Sequence, residues 1–461
     1  MALLVPYMSK LLLAFYGDDF TGSTDALEQL ALAGVRAALF IEPPTLARLR
    51  QIPELQAVGV AGITRSLSPA AMEKELRPAF EKLKALGVRH VHYKVCSTFD
   101  SSPAVGSIGR AIDVAMNIFR ARFVPLLAAA PALGRYTIFG THFARFGIGS
   151  TGEIHRLDRH PSVSRHPVTP MTEADLRLHL SRQTKKKIAL FDILKLAAPE
   201  NESRLALKEI LADKPDVILF DTLCEAQLEH LGRLIDSFAT RKHSLFSVGS
   251  SGIEMALAAF WKSKGRVSRV SNFKVRESQS SSLRRRPILI ASGSCSPVTA
   301  NQIVWALHRG FTEVPLDVAA LASGKKSGMD IQRATGAAVK LLRNGRSVIV
   351  HTTPRGFNER AVAKLRGQSA RILGTALGKI LRSALAQSRG HRLCIAGGDT
   401  SSYVARVLGI EALEMIAPLT PGAPLCKAIA PGSPADGCEI VFKGGQVGGE
   451  NYFGIVKRGK V

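Results

Sequence analysis

Short apolar runs of strand-like composition alternate with stretches of helical period along most of the chain, the pattern of an α/β fold with mostly parallel sheets. Leu11–Tyr16 reads as a buried first strand, Ser23–Ala33 as an amphipathic helix stopped near Gly34, and Val35–Ile41 as the next strand. Val58–Ile63, Val88–Val95, Ile188–Ile193, Val217–Phe220 and Ser244–Val248 continue the series. Several runs end in polar or glycine-rich turns: Gly17-Asp18-Asp19, Thr64-Arg65-Ser66 and Gly249-Ser250-Ser251-Gly252. Open α/β sheets collect ligands at such tips. Between Ser263 and Pro287 the alternation gives way to a polar, basic, serine-rich stretch that reads as a linker. It restarts with Ile288–Ala291, Ser347–Thr352 and Leu393–Ala396, and from Ala417 onward proline and glycine predict ordered loops around a site. The expectation is two α/β domains, residues 1–265 and 288–461, joined by a linker over 266–287.

A length of 461 residues agrees with two cores rather than one. Hydrophobic residues at 46% and charged residues at 21% are ordinary for a globular protein. No apolar run reaches the roughly 18 residues of a membrane helix. Pro125 and Pro131 break Val124–Ala132, and Pro6 and Lys10 break the apolar opening, which no small-residue cleavage site follows. A cytoplasmic protein without a membrane segment is expected. Six scattered cysteines without a C-x-x-C pair argue against a zinc site or a disulfide framework.

The charge is less ordinary than the composition. A balance of 62 Lys and Arg against 37 Asp and Glu gives +25. Nucleic-acid binding asks for basic residues gathered on one face with interleaved aromatics. Here the basic residues are dispersed in short clusters such as Lys185-Lys186-Lys187, and aromatics are only 6%. A field that draws in anionic small molecules fits better than a specific nucleic-acid partner.

Three constellations in the first half carry candidate chemistry. Gly17–Glu28 (GDDFTGSTDALE) places Asp18 and Asp19 at a strand tip just before a helix, whose free amides hold anions. One carboxylate can take a proton from a substrate hydroxyl; Asp19, nearer the helix start, is the expected base, with Asp18 serving the turn. In Tyr93–Ser102, Lys94 ends a strand and can meet an anion, while Ser97 and Asp100 face a sugar. Arg165 and His166 sit on a loop stiffened by Pro167 and Pro170, suited to an anionic ligand; His160 and His166 lack metal spacing.

In the second half, Ser292-Gly293-Ser294-Cys295-Ser296 follows a strand and precedes a helix from about Val298. Small residues let backbone amides approach phosphate oxygens. Gly397-Gly398-Asp399-Thr400 repeats the arrangement and adds Asp399 as a carboxylate for a metal ion; Lys443-Gly444-Gly445 adds a lysine for phosphate. Three such loops after one linker predict nucleotide binding. Gly147–Gly152 matches G-x-G-x-x-G without a leading strand, and Gly324-Lys325-Lys326-Ser327 lacks the first glycine of a P-loop, so neither is a fingerprint.

Taken in order, GDDFTGSTDALE, YKVCSTFDSS, RHPVTPM, SGSCS, GGDTSS and KGGQVGGENYF resemble the four-carbon acid sugar kinase family, from about Leu11 to Val456. The resemblance implies an N-terminal acid-sugar domain and a C-terminal ATP domain that close on a cleft. It also implies transfer of the γ-phosphoryl group of ATP, with magnesium, to a hydroxyl of a tetronate-type acid. Carried over by motif, Asp18, Asp19, Arg65 and Lys94 stand on the substrate side, with Lys94 and Arg65 clamping the carboxylate. Ser292, Ser294, the Gly397–Thr400 turn and Gly445 stand on the ATP side. The string CSTFDS is similar to members acting on 3-oxo-tetronates, which makes a 3-oxo acid, including the branched 3-oxo-isoapionate, the expected substrate. Threonate or erythronate is the alternative within the family; a non-catalytic anion or nucleic-acid binder is the alternative outside it. Self-association stays open. The chain departs from the family in KGGQVGG and in an extended Gly140–His160 segment.

Overall fold

The computed structural model describes residues 10–52, 54–147, 152–166, 168–268, 287–322, 327–352, 369–388 and 392–459. The interior of the expected linker (269–286), Pro167, residues 148–151 and residues 324–326 lie outside the described residues. The chain forms two compact units, residues 1–38 with 42–272 and residues 39–41 with 273–461.

The strands up to the end of the first unit are β1 (Leu13–Gly17), β2 (Ala37–Phe40), β3 (Ala57–Ala61), β4 (His90–Lys94), β5 (Val124–Leu127), β6 (Arg135–Ile138), β7 (Thr141–Arg145), β8 (Ile154–Arg156), β9 (Ile188–Phe191), β10 (Val217–Phe220) and β11 (Leu245–Gly249). A parallel sheet runs β3, β1, β4, β11, β5, β10, β9. Every residue of β1, β3, β4 and β11 is buried. Helices cover both faces of such a sheet, so its strands are continuous apolar runs. Register aligns the strand ends: Gly17 lies opposite Ala61 and Lys94, and Lys94 opposite Gly249.

β5 is a strand that Pro125 disguised. Pro125 pairs in register with Ile218 of β10, and all of β5 is buried. Burial between two neighbours outweighs one missing N–H donor. The extended Gly140–His160 segment contributes β7 and β8, which with β6 form an antiparallel three-stranded sheet.

The second unit contains β12 (Ile288–Ser292), β13 (Thr312–Pro315), β14 (Val348–His351), β15 (Arg392–Ala396), β16 (Ala412–Ala417), β17 (Leu425–Ile429) and β18 (Glu439–Lys443). The order β13, β14, β12, β15, β18 is parallel; β17 and β16 follow antiparallel. The stretch after Ala417, expected as loops, thus supplies two strands and the helix Tyr452–Arg458. Apolar residues hidden between its glycines and prolines account for this: Leu425, Val441, Tyr452 and Phe453 pack into the core with Ile290, Ile303 and Ile349. Among the described residues, no helix is long and apolar enough to cross a membrane.

Candidate active site

The helices that bear on the sites are α1 (Phe20–Leu32), α2 (Gly252–Ser263), α3 (Pro297–Leu307), α4 (Gly398–Val407) and α5 (Tyr452–Arg458). In the first unit, β1 ends at Gly17 and the chain turns through Asp18 and Asp19 into α1. Asp19 is extended and caps α1, its Oδ1 accepting Gly22 N–H at 2.7 Å. Its Oδ2 accepts from the Thr21 hydroxyl at 2.8 Å and from Arg65 Nη1 at 2.9 Å. Both oxygens are engaged.

Asp18 differs. Arg65 docks on it edge to edge, Nε to Oδ2 at 3.2 Å and Nη2 to Oδ1 at 3.0 Å. Arg65 follows β3 in a short turn whose amide also bonds the Asp18 carbonyl at 2.9 Å. Burial raises the Asp18 pKa to about 6, with Arg65 opposing and Asp19 adding to the rise. The sequence points to Asp19 as the base. The cap occupies Asp19, so Asp18 has the more suitable environment.

Lys94 is not an exposed strand tip. Only 1% of it is accessible, and its ammonium donates to the Val95 carbonyl at 3.1 Å beside Asp25 Oδ2 at 3.3 Å. Burial alone would depress its pKa; Asp25, then Glu254 and Asp18, outweigh that and hold it above the ordinary value. Glu254 on α2 is fully buried, which pushes its pKa up to about 8, so at neutral pH it is a carboxylic acid. His92 on β4, with Nε2 3.6 Å from Glu254 Oε1, is held neutral by burial and then by Lys94, at about 3. Lys94 therefore meets Asp25 at 3.3 Å under the strand tips, with Glu254 and His92 packed behind it. Gly22 makes the convergence possible. A Cβ there would stand 2.5 Å from Asp19 Oδ1, 3.3 Å from Lys94 Nζ and 3.6 Å from Arg65 Nη2.

The turn after β4 carries Ser97 and Asp100. Thr98 donates its hydroxyl to Asp100 Oδ1 at 2.9 Å, and Phe99 is left-handed at φ 57°. His142 on β7 donates Nε2–H to the Ser97 carbonyl at 2.9 Å and accepts the Thr137 hydroxyl at Nδ1, also at 2.9 Å. Burial keeps its pKa down at about 4, so it is a neutral strut between β7 and this turn.

His166 does a local job: its Nδ1 accepts the Thr169 amide and hydroxyl, each at 3.0 Å, closing its own turn. Arg165 is exposed. Among the described residues, no hydrogen bond or ion pair links either of them to the Asp18 cluster.

In the second unit the strand ends also align, Ser292 opposite His351 and Ala396, and Ala396 opposite Lys443. The three glycine loops pack on one another. A Cβ at Gly293 would meet Thr400 Cγ2 at 2.6 Å, and one at Gly445 would meet Ser294 Oγ and Ser296 Cβ at 2.9 Å. Gly397, at φ 132°, would meet Thr400 Oγ1 at 2.5 Å. The N-termini of α3 and α4 open here, and the first amides of a helix have no acceptor within it. The chain departs from the expected scheme at Lys443. That lysine is fully buried, donates to the Thr299 hydroxyl at 2.9 Å and lies over the Tyr452 ring. Burial lowers its pKa to about 8. It braces the loop from beneath, together with Gln302, whose amide bonds the carbonyls of Val447, Gly448 and Gly449. Asp399 falls in the first turn of α4, and its side chain lies outside the described residues.

Residues 13–257 match the model of a sugar-binding N-terminal domain, and residues 289–453 that of a nucleotide-binding C-terminal domain. The chain is 43% identical to the 3-oxo-isoapionate kinase of Paraburkholderia graminis, covering 98% of this chain and 95% of the relative. The chain belongs to the four-carbon acid sugar kinase family. It is 30% identical to the 3-oxo-tetronate kinase of Methylobacterium radiotolerans, over 96% of this chain and 98% of that one. A Salmonella typhimurium LT2 crystal structure shares the fold, with a TM-score of 0.74 at 23% identity over 97% of this chain and 99% of the other. The sugar acid kinase is thus a phosphotransferase that uses ATP.

Sequence reasoning missed Asp25, Glu254, His92 and His142. Asp25 had a signal, standing one helical turn past Gly22 on the same face of α1. Glu254 follows the Gly249–Gly252 tip in the same way. His142 had none, because its place depends on antiparallel pairing that no local pattern announces.

Proposed function

We propose that this kinase phosphorylates a hydroxyl of a 3-oxo four-carbon acid, with 3-oxo-isoapionate as the first candidate and 3-oxo-tetronate as the second. The 43% identity to a 3-oxo-isoapionate kinase over nearly the whole chain supports the substrate. The observation that carries the chemistry is Asp18, a carboxylate raised to about 6 and held by Arg65 at the tip of β1. A base of that pKa takes the hydroxyl proton near neutral pH as the phosphoryl group arrives. Asp19 fixes the start of α1 and the far side of the Arg65 guanidinium. Residues 1–265 act as the acid-sugar domain and 288–461 as the nucleotide domain, joined through 266–287. In the latter, the amides around Ser292, Ser294, Gly397, Gly398, Thr400 and Gly445 receive the phosphates.

Magnesium fits as a partner of ATP rather than as a resident ion. Among the described residues no group of three or more His, Cys, Asp or Glu gathers to hold a metal. Magnesium is commonly carried by substrate phosphates with one or two carboxylates, and Asp399 is the carboxylate offered here. When bound, it would neutralise phosphate charge. Six cysteines without a disulfide support a cytoplasmic setting.

The test is ADP release with a panel of 3-oxo-isoapionate, 3-oxo-tetronate, threonate and erythronate. Release with a 3-oxo acid is expected. Release with threonate or erythronate alone would move the substrate, and release with none would end the reading.

A further inference from the structure

Two cations near the base were expected to clamp the substrate carboxylate, yet both already have carboxylate partners. The Nε/Nη2 edge of Arg65 is filled by Asp18 and its Nη1 bonds Asp19. Lys94 lies against Asp25. A third cation stands otherwise. Arg135 opens β6, is 5% accessible, and spends Nη1 on the carbonyls of Leu133 at 3.0 Å, Gly134 at 3.3 Å and Arg145 at 3.0 Å. Its Nε is buried without a hydrogen-bond partner, and none is found for Nη2 among the described residues. No carboxylate among the described residues lies within ion-pairing distance of it. The open edge is the one that receives a carboxylate through two parallel N–H···O bonds.

Resting on the reading of the chain as a sugar acid kinase, we infer that Arg135 is the anchor for the substrate carboxylate, presented through its Nε/Nη2 edge. Its placement supports this. β6 pairs with β7, Thr137 opposite His142, and His142 is the strut to the Ser97 carbonyl. The same ribbon thus lays Arg135 beside the turn that carries Cys96 and Asp100. Of the ionisable groups near Arg135, the Cys96 thiol is kept neutral by burial, which pushes it up to about 11. Asp100 and Asp25 act on Arg135 as counter-charges, and Asp100 acts on Arg65 too. The Cys96–Asp100 turn therefore has Arg65, partner of the base, and Arg135 both nearby. Burial without a counter-ion pulls the Arg135 pKa below the ordinary guanidinium value. A desolvated guanidinium whose carboxylate edge is empty is costly until an anion completes it.

Acid-dependent ADP release by the wild type tests the reading; Arg135 variants test the anchor. Arg135→Gln should raise KM for the 3-oxo acid about 10- to 100-fold, as expected for losing hydrogen bonds to a charged group. KM for ATP should stay within about twofold, since nucleotide binding is untouched. Arg135→Lys, which keeps the charge without the fork, should fall between. An unmoved acid KM in folded Arg135→Gln, or an equal rise for both substrates, overturns the anchor and leaves the kinase standing. If both variants fail to fold, hydrogen exchange on the wild type decides. The acid should slow exchange across residues 133–137 and ATP should not. Absence of that protection overturns the proposal.

Discussion

Asp18 and Arg65 meet edge to edge, Nε 3.2 Å from Oδ2 and Nη2 3.0 Å from Oδ1, while Asp19 takes the third guanidinium nitrogen at 2.9 Å. One arginine thus orients two adjacent carboxylates of unlike duty. Asp19 holds a helix end. Asp18 is buried and only partly compensated, which raises its proton affinity in the direction the proposed base requires.

Asp18→Asn should lower kcat by at least about 10², the usual range for a lost general base, with little change in melting temperature. Asp19→Asn should cost much less, because asparagine caps a helix as well as aspartate does. In the wild type, kcat/KM should fall about tenfold per pH unit below roughly pH 6, as the base protonates. A rate unchanged in Asp18→Asn, or an acid limb that survives the substitution, would remove Asp18 from the mechanism.

Gly22→Ala should separate stability from activity. Alanine gains about 1 kcal/mol of helix propensity, which offsets a disturbed cap of about the same size. Its methyl nevertheless lands where Asp19, Lys94 and Arg65 converge. The expected result is a near-normal melting temperature with kcat down by at least about 10². An active Gly22→Ala enzyme would show that this spacing is not needed.

Glu254 makes a prediction about stability rather than rate. Its folded pKa of about 8 lies above the ordinary 4.5, so the folded state binds the extra proton between those values. The stabilisation is full below about pH 4.5 and is lost as pH rises through about 8. Glu254→Gln cannot ionise and should escape that loss. The melting temperature of the wild type minus that of Glu254→Gln should therefore fall steadily between about pH 5 and pH 8. Parallel curves would mean that Glu254 is ionised throughout.

Gly445→Ala should act on the nucleotide alone. Its Cβ would press on Ser294 and Ser296 at 2.9 Å, spreading two of the three loops. KM for ATP should rise about tenfold or more, with KM for the acid unchanged. Lys443→Met should instead lower the melting temperature with a smaller effect on ATP, because the ammonium faces Thr299. A larger ATP effect at Lys443 than at Gly445 would restore the lysine to the phosphates.

The sequence exposed the parallel strands well, because a strand buried on both faces is written as an unbroken apolar run. Leu13–Gly17, Ala57–Ala61 and Val217–Phe220 lie within a residue or two of their expected limits. The turns that carry Asp18, Arg65 and Ser292 were legible for the same reason, since polar and glycine residues mark where those runs stop. What escaped was direction and pairing. Lys94 reads as a strand end, but only the fold shows that its chain turns inward to Asp25. Lys443 likewise lies beneath its loop rather than in it. Arg135 looks like one of 62 basic residues until β6 finds β7.

The in-register strand ends of the first unit have a consequence for how the enzyme matures. Gly17, Ala61, Lys94 and Gly249 are neighbours in space but span most of that unit in sequence. Parallel pairings of such separation form slowly, since loop closure must precede the contacts that reward it. A partly folded chain has no grip on the acid. Substrate therefore recognises only finished molecules and draws the folding equilibrium toward them, by about 2.7 kcal/mol at a hundredfold excess over its Kd.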